Sequence, residues 1–141
     1  MLQLVNINRN PLGRKASKEY LEQILQKSGH HSNRGENLDN FYFLLKGNEM
    51  IGCCGMVVNR DIHDDSEKPW ITSLHVKEKH RGNNYGEMLL NHVVHKAKLL
   101  GYESAYLAAG DADYQPCNNW VKVNSSTFRG PVYYKNLDDP R

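Results

Sequence analysis

The chain has 141 residues, a formal net charge of +2 and 39% hydrophobic content, values expected of a single domain (residues 1–141) that buries its own core. Charged residues make up 24% and the two signs are interspersed, which argues against a nucleic-acid binder, and no window is apolar for long enough to span a membrane. The cysteines Cys53, Cys54 and Cys117 form neither a disulfide framework nor a metal-ligand spacing, and the N-terminus lacks a secretory-signal layout, so the expectation is a cytoplasmic protein with small buried thiols.

Taken in order, Leu2 to Ile7 alternates and predicts a first strand. Ser17 is read as an N-cap, opening a short amphipathic helix through Tyr20, Leu21, Ile24 and Leu25 that closes at Gly29. His30 to Asn40 is polar and reads as a loop; the His30-His31 pair has no carboxylate or cysteine spaced to complete a metal site. Phe41 to Leu45 and Met50 to Val58 are apolar runs joined by Lys46-Gly47-Asn48-Glu49, a hairpin signal. Gly52 and Gly55 inside the second run suggest a bulge or the close approach of another backbone. Asn59 to Lys68 is read as a loop whose Asp61, Asp64, Asp65 and Glu67 either face solvent or attract a cationic amine, with His63 and Glu67 as candidate bases.

Ile71 to Val76 is β-branched and roughly alternating, hence a strand. A polar loop follows, and Tyr85, Leu89, Val93, Ala97 and Leu100 then recur at helical spacing, with Gly101 just past the end. His92 and His95 on this helix read as surface residues near its C-terminal half. Ser104 to Ala109 returns as a strand, so the unit predicts parallel pairing. Its loop, Arg81-Gly82-Asn83-Asn84-Tyr85-Gly86, opens a helix, where unpaired N–H groups and the dipole favour an anion. Lys77, Lys79, His80 and Arg81 add positive charge, so a phosphate or pyrophosphate suits the site. The Walker pattern is excluded because the run ends Tyr85-Gly86-Glu87, and a lone GxxxG lacks the glycines of a dinucleotide fingerprint. Farther on, Asp111 to Asn119 is irregular, with Pro116 suited to the first turn of a short helix. Trp120 to Val123 and Pro131 to Leu137 predict a closing hairpin.

The stretch Leu74-His75-Val76, followed by Arg81-Gly82-Asn83-Asn84-Tyr85-Gly86, resembles the acetyl-CoA motif of the GCN5-related N-acetyltransferase (GNAT) family. In that pattern a strand ends Leu-x-Val and Arg/Gln-x-x-Gly-x-Gly/Ala opens a helix. Asn84 stands at the family's middle glycine, and Asn is the non-glycine residue that best tolerates positive φ. Tyr114 and Trp120 match a downstream aromatic pattern with one added residue and Asn119 for a glycine. The resemblance implies an α/β (α+β) fold: a mixed, mostly antiparallel sheet of six to seven strands with a splayed parallel pair and flanking helices. The family usually has two helices before the second strand to wall the acceptor site; one is evident here.

What the resemblance implies for chemistry is transfer of an acetyl group from acetyl-CoA to an amine, with no metal and no cofactor beyond that cosubstrate. Leu74, His75 and Val76 would hold the thioester arm, and Arg81, Gly82, Asn83, Asn84, Tyr85 and Gly86 the pyrophosphate. Tyr114 is the candidate general acid. His75, Glu67 and a water relay remain open as the route for the amine's proton, alternation turning His75 away from Leu74 and Val76. A small-molecule amine is the expected partner, the oligomeric state is open with a homodimer among the options, and a non-catalytic acyl-CoA-binding regulatory domain is the alternative.

Overall fold

The computed structural model of the protein describes residues 2–27, 40–60, 67–108, 120–123 and 132–137. Its strands are β1 (Leu2–Asn6), β2 (Phe41–Lys46), β3 (Glu49–Arg60), β4 (Glu67–Val76), β5 (Ser104–Ala108), β6 (Val121–Val123) and β7 (Val132–Asn136). They form one sheet in the order β1-β2-β3-β4-β5-β7-β6. Every neighbouring pair is antiparallel except β4 and β5, the strands joined through the α2 crossover. The helices are α1 (Arg14–Lys27) and α2 (Tyr85–Leu99).

Alternation along β2 assigns the two helices to opposite faces. Phe41, Phe43 and Leu45 pack with Tyr20, Leu21 and Ile24 of α1. Tyr42 and Leu44 pack with Leu89, Leu90, Val93 and Ala97 of α2. A strand covered on both sides reads as a continuous apolar run, as this one does. Each large aliphatic side chain so buried is worth about 1.5–3 kcal/mol. Beyond α1 the same face is closed by Trp70 stacked on Tyr106, with centroids 4.5 Å apart, and by Tyr134 edge-on to Tyr106.

The local signals explain most element ends. Gly47 has φ +63 and Asn48 does not follow it into positive φ, the II′ pattern that joins Lys46 to Glu49. At the end of α2, Gly101 N–H bonds Lys98 O at 2.9 Å and Tyr102 N–H bonds Ala97 O at 3.2 Å. With Gly101 at φ +92 this is a Schellman motif. Two expectations are corrected: β3 and β4 extend into the stretch read as a loop, pairing Asn59 with Lys68 and Arg60 with Glu67, and α1 starts at Arg14, with Ser17 within it. The Asn10 side chain accepts from Leu12 N–H at 2.9 Å and Gly13 takes φ +97, so the chain turns into the helix earlier. The Ser17 hydroxyl instead donates to Gly13 O at 3.1 Å, and it accepts from Asn10 Nδ2 at 2.8 Å. Gly29 and residues 30–39 of the polar stretch after it lie outside the described residues.

Gly52 of β3 marks the close approach of another backbone, as expected, whereas Gly55 makes room for a side chain. The β2–β3 register shifts between Leu44 and Leu45, where β3 carries an extra residue. A Cβ on Gly52 would lie 2.8 Å from the His75 carbonyl oxygen and 2.9 Å from Leu89 Cδ1. One on Gly55 would enter the Phe41 ring. Gly52→Ala must push β4 or α2 outward, and it is expected to lower stability by about 1–3 kcal/mol in urea unfolding; an unchanged midpoint would show that the contact yields without cost.

Candidate active site

The site begins where β4 stops being regular. Between Cys53 and Gly55 of β3, the β4 register advances from His75 to Thr72, so Ser73 and Leu74 together oppose Cys54: a bulge. Ser73 takes φ +56, a conformation that a non-glycine residue adopts only where its surroundings hold it. The buried Cys53 thiol contributes, donating to Ser73 O at 3.2 Å. Burial raises the pKa of both Cys53 and Cys54, so the thiols stay protonated. Among the described residues, the parallel ladder with β5 consists of Trp70↔Tyr106 and Ile71↔Leu107, just before this bulge.

Past the bulge, the strand sorts its side chains cleanly. Leu74 and Val76 pack on the α2 side. His75 turns to the α1 side, where Tyr20 Oη lies 3.4 Å from its Nδ1. Lys77 N–H donates to Ile51 O at 2.9 Å, which sets the phase of the β3–β4 ladder. The adjacent pair, Gly52↔Val76, is then of the non-hydrogen-bonded kind, and Val76 turns its N–H and C=O away from β3. Its carbonyl takes the Arg81 Nε–H at 3.0 Å, so the loop is fastened to the strand it leaves.

That loop runs through a 3-10 turn at Glu78–His80 into α2. Gly82 has φ +88 with nothing within 4 Å of where a Cβ would stand, so conformation, not crowding, requires glycine there. Asn83 Nδ2 donates to His80 O at 3.0 Å. Asn84 is the N-cap of α2 at φ +62, ψ +22, the left-handed conformation anticipated for it, and its side chain makes no cap bond. The first-turn N–H groups of α2 therefore receive no side-chain oxygen from the N-cap, which is how a helix start stays open to an anion. Tyr85 packs against the core beneath and holds this end of the helix in place.

The loop's cations are not all turned to that opening. Glu49, at the start of β3, meets Lys79 Nζ at 2.9 Å, Lys77 Nζ at 3.4 Å and His80 Nε2 at 3.4 Å. Hydrogen bonding from Lys79, with further bonds from His80 and Lys77, holds its carboxyl down at about 2. Lys77, Lys79 and His80 thus serve first to tie the loop to the β2–β3 hairpin, and Arg81 is the basic residue whose side chain is not tied to Glu49. Nothing in the sequence around Glu49 marks it; only the hairpin turn, read together with the β3–β4 pairing, brings it under the loop.

The other anticipated residues are dispersed. Glu67 is exposed at the first position of β4, at the opposite end of the strand from Leu74 to Val76. His63, Asp61, Asp64, Asp65 and Tyr114 lie outside the described residues. His92 is half-buried with its ring edge-on to Tyr42 at 4.8 Å, and burial, with Lys96 and His95 nearby, lowers its pKa, which fits packing. Among the described residues no group of three or more His, Cys, Asp or Glu side chains is arranged to hold a metal, and no helix is long and apolar enough to cross a membrane.

The Glu49 cluster has a pH signature. Its folded value of about 2 lies below the ordinary 4.5, so its contribution to stability is complete above the unfolded value and is lost as pH falls toward the folded one. In the wild type the urea midpoint should fall between about pH 5 and pH 2.5, and Glu49→Gln should remove part of that slope. Parallel pH profiles for the two proteins would show that the cluster does not stabilise the fold.

A family model described as the Acetyltransferase (GNAT) family matches residues 3–120. No curated protein sequence matches the chain. Among solved structures, a GNAT-family acetyltransferase from Staphylococcus aureus Mu50 aligns with TM-score 0.66 at 14% identity, over 97% of this chain and 99% of the other. N-acetylglutamate synthase from Neisseria gonorrhoeae, complexed with coenzyme A and N-acetyl-glutamate, gives 0.66 at 16% identity, over 97% of this chain and 35% of that one. A protein from Clostridium acetobutylicum solved with acetyl-CoA gives 0.56 at 14%, over 88% of this chain and 95% of that one. These likenesses are of fold: a seven-stranded mixed sheet with one parallel pair. The family match covers most of the sequence, and the chain belongs to the GNAT acetyltransferase family.

Proposed function

We propose that the chain is an N-acetyltransferase that moves the acetyl group of acetyl-CoA to a primary amine of a small molecule, by direct attack within a ternary complex in the cytoplasm. One juxtaposition carries the reading: an α2 N-terminus that receives no side-chain bond from its N-cap lies one short loop after Val76, whose N–H and C=O turn away from β3. The related structures solved with coenzyme A, N-acetyl-glutamate or acetyl-CoA support it.

When bound, acetyl-CoA supplies a thioester already activated toward amines. The backbone from Gly82 to Gly86 would take the pyrophosphate, helped by the α2 dipole and the Arg81 guanidinium. Val76 N–H, directed away from β3, is suited to the thioester carbonyl and to the negative charge that develops on its oxygen. With the phosphates at the start of α2 and Leu74 and Val76 filling that side, the amine approaches from the α1 side. His75 faces there and takes the amine's proton, imidazole being the side chain best suited to general-base work near neutral pH. Glu67, at the far end of β4, is less suited. As the C–N bond forms and the C–S bond breaks, Tyr114 is assigned return of a proton to the leaving thiolate.

The test is release of free thiol from acetyl-CoA with and without polyamines, amino acids, aminoglycosides and short peptides. Amine-dependent release supports the enzyme and names its acceptor class; flat release with intact acetyl-CoA binding would favour a non-catalytic binding domain. Arg81→Ala should weaken acetyl-CoA about tenfold, or about 1.4 kcal/mol, by calorimetry. Unchanged affinity would remove the phosphate role from this loop residue.

A further inference from the structure

A catalytic imidazole needs its second nitrogen held, because the bond made at one nitrogen decides which tautomer the other presents. The histidine on β4 has such a partner, and it comes from α1. Tyr20 is 8% exposed. Its ring lies edge-on to Phe43 and to His75, with centroids 6.2 Å apart in each case, and its hydroxyl oxygen is 3.4 Å from His75 Nδ1. Packing against Phe43 limits the ring's freedom, so the hydroxyl is set independently of the acceptor.

We infer that Tyr20 is a positioning residue for His75: its oxygen accepts the Nδ1–H, which leaves Nε2 to take the proton of the acceptor amine. This rests on the proposed acetyltransferase reading. Neutral imidazole left to water favours the opposite tautomer, with hydrogen on Nε2, so an acceptor at Nδ1 raises the fraction of His75 able to act as base. Once Nε2 is protonated, the Nδ1–H···O bond becomes charge-assisted and stronger, which favours the imidazolium. Burial raises the Tyr20 phenol, with smaller contributions from Cys53 and Glu49, so a neutral hydroxyl is what His75 meets. Among the described residues, the titratable groups near the pair include the Cys53 thiol, opposite His75 on β3, the Glu49 carboxylate and Lys77 further along the chain. Lys77 Nζ lies 5.8 Å from the Tyr20 ring centroid and is paired with Glu49.

The experiment compares wild type, Tyr20→Phe and His75→Gln by thiol release across pH, with thermal melts to confirm folding, and follows the His75 ring nitrogens by NMR. The phenylalanine keeps the ring and its packing. His75→Gln should abolish the acid limb of the kcat profile. Tyr20→Phe should keep that limb, move it to lower pH and lower kcat roughly tenfold, with KM for acetyl-CoA unchanged. The neutral His75 ring should pass from the Nδ1–H to the Nε2–H form in this variant. A Tyr20→Phe protein with wild-type kcat, limb and tautomer, alongside an inactive His75→Gln, overturns the role of Tyr20 and leaves the acetyltransferase standing. If no amine promotes thiol release, the acetyltransferase reading itself fails; a tautomer insensitive to Tyr20→Phe would then overturn the pairing as well.

Discussion

The arrangement depends on one irregularity in one strand. Two residues of β4, Ser73 and Leu74, stand opposite the single Cys54, and the extra residue bends the strand and strengthens its twist. Past it, Val76 turns its N–H and C=O away from β3. The cost of holding Ser73 at positive φ is of order 1–3 kcal/mol, and it is offset by well-packed surroundings. Cys53 bonds to the Ser73 carbonyl, Leu74 and Val76 enter the α2 core, and Gly52 lets β4 come close to β3. A thiol suits the first task because it is small enough for a fully buried position and still donates a weak hydrogen bond.

Charge is handled by a division of labour. Three basic side chains near the loop are bound to Glu49, and the anion-attracting part is left to backbone N–H groups, the helix dipole and Arg81. Backbone donors are fixed by the fold, so they lose no side-chain entropy when an anion arrives. Lysines free in solution would attract an anion at longer range but would have to be ordered on binding. The Glu49 contacts also make the loop less sensitive to its own positive charges, which would otherwise repel across a short 3-10 turn.

Much of this was legible in the sequence, for reasons that differ by element. The hairpin at Gly47, the Schellman end at Gly101 and the left-handed Asn84 are local, each written in the residue that must adopt the conformation. Of the two glycines of β3, Gly52 announced the backbone that approaches it, while Gly55 proved to accommodate the Phe41 ring. The start of α1 was misread because Ser17 has the chemistry of a cap but sits one turn inside, where its hydroxyl bonds back to Gly13. Glu49 and Tyr20 were not legible as site residues at all. Each acts through a partner distant along the chain, Lys77 to His80 in one case and His75 in the other, and no spacing in a single sequence encodes such a meeting. The bulge at Ser73 was hidden for a related reason: its residues look like a strand, and only the pairing with Cys53 and Gly55 shows the extra one.

The β2–β3 hairpin has a consequence for how this chain tolerates change. Its tip, at Gly47 and Asn48, is an exposed two-residue turn, the kind of place where insertions are usually absorbed. Here the residue just after the turn is Glu49, whose carboxylate must reach the loop ahead of α2. A change at the turn that slid β3 by one residue would swing that carboxylate to the opposite face of the sheet. The hairpin tip is therefore a surface turn by position but a fixed ruler by length, setting the distance between a strand edge and the helix start beyond it.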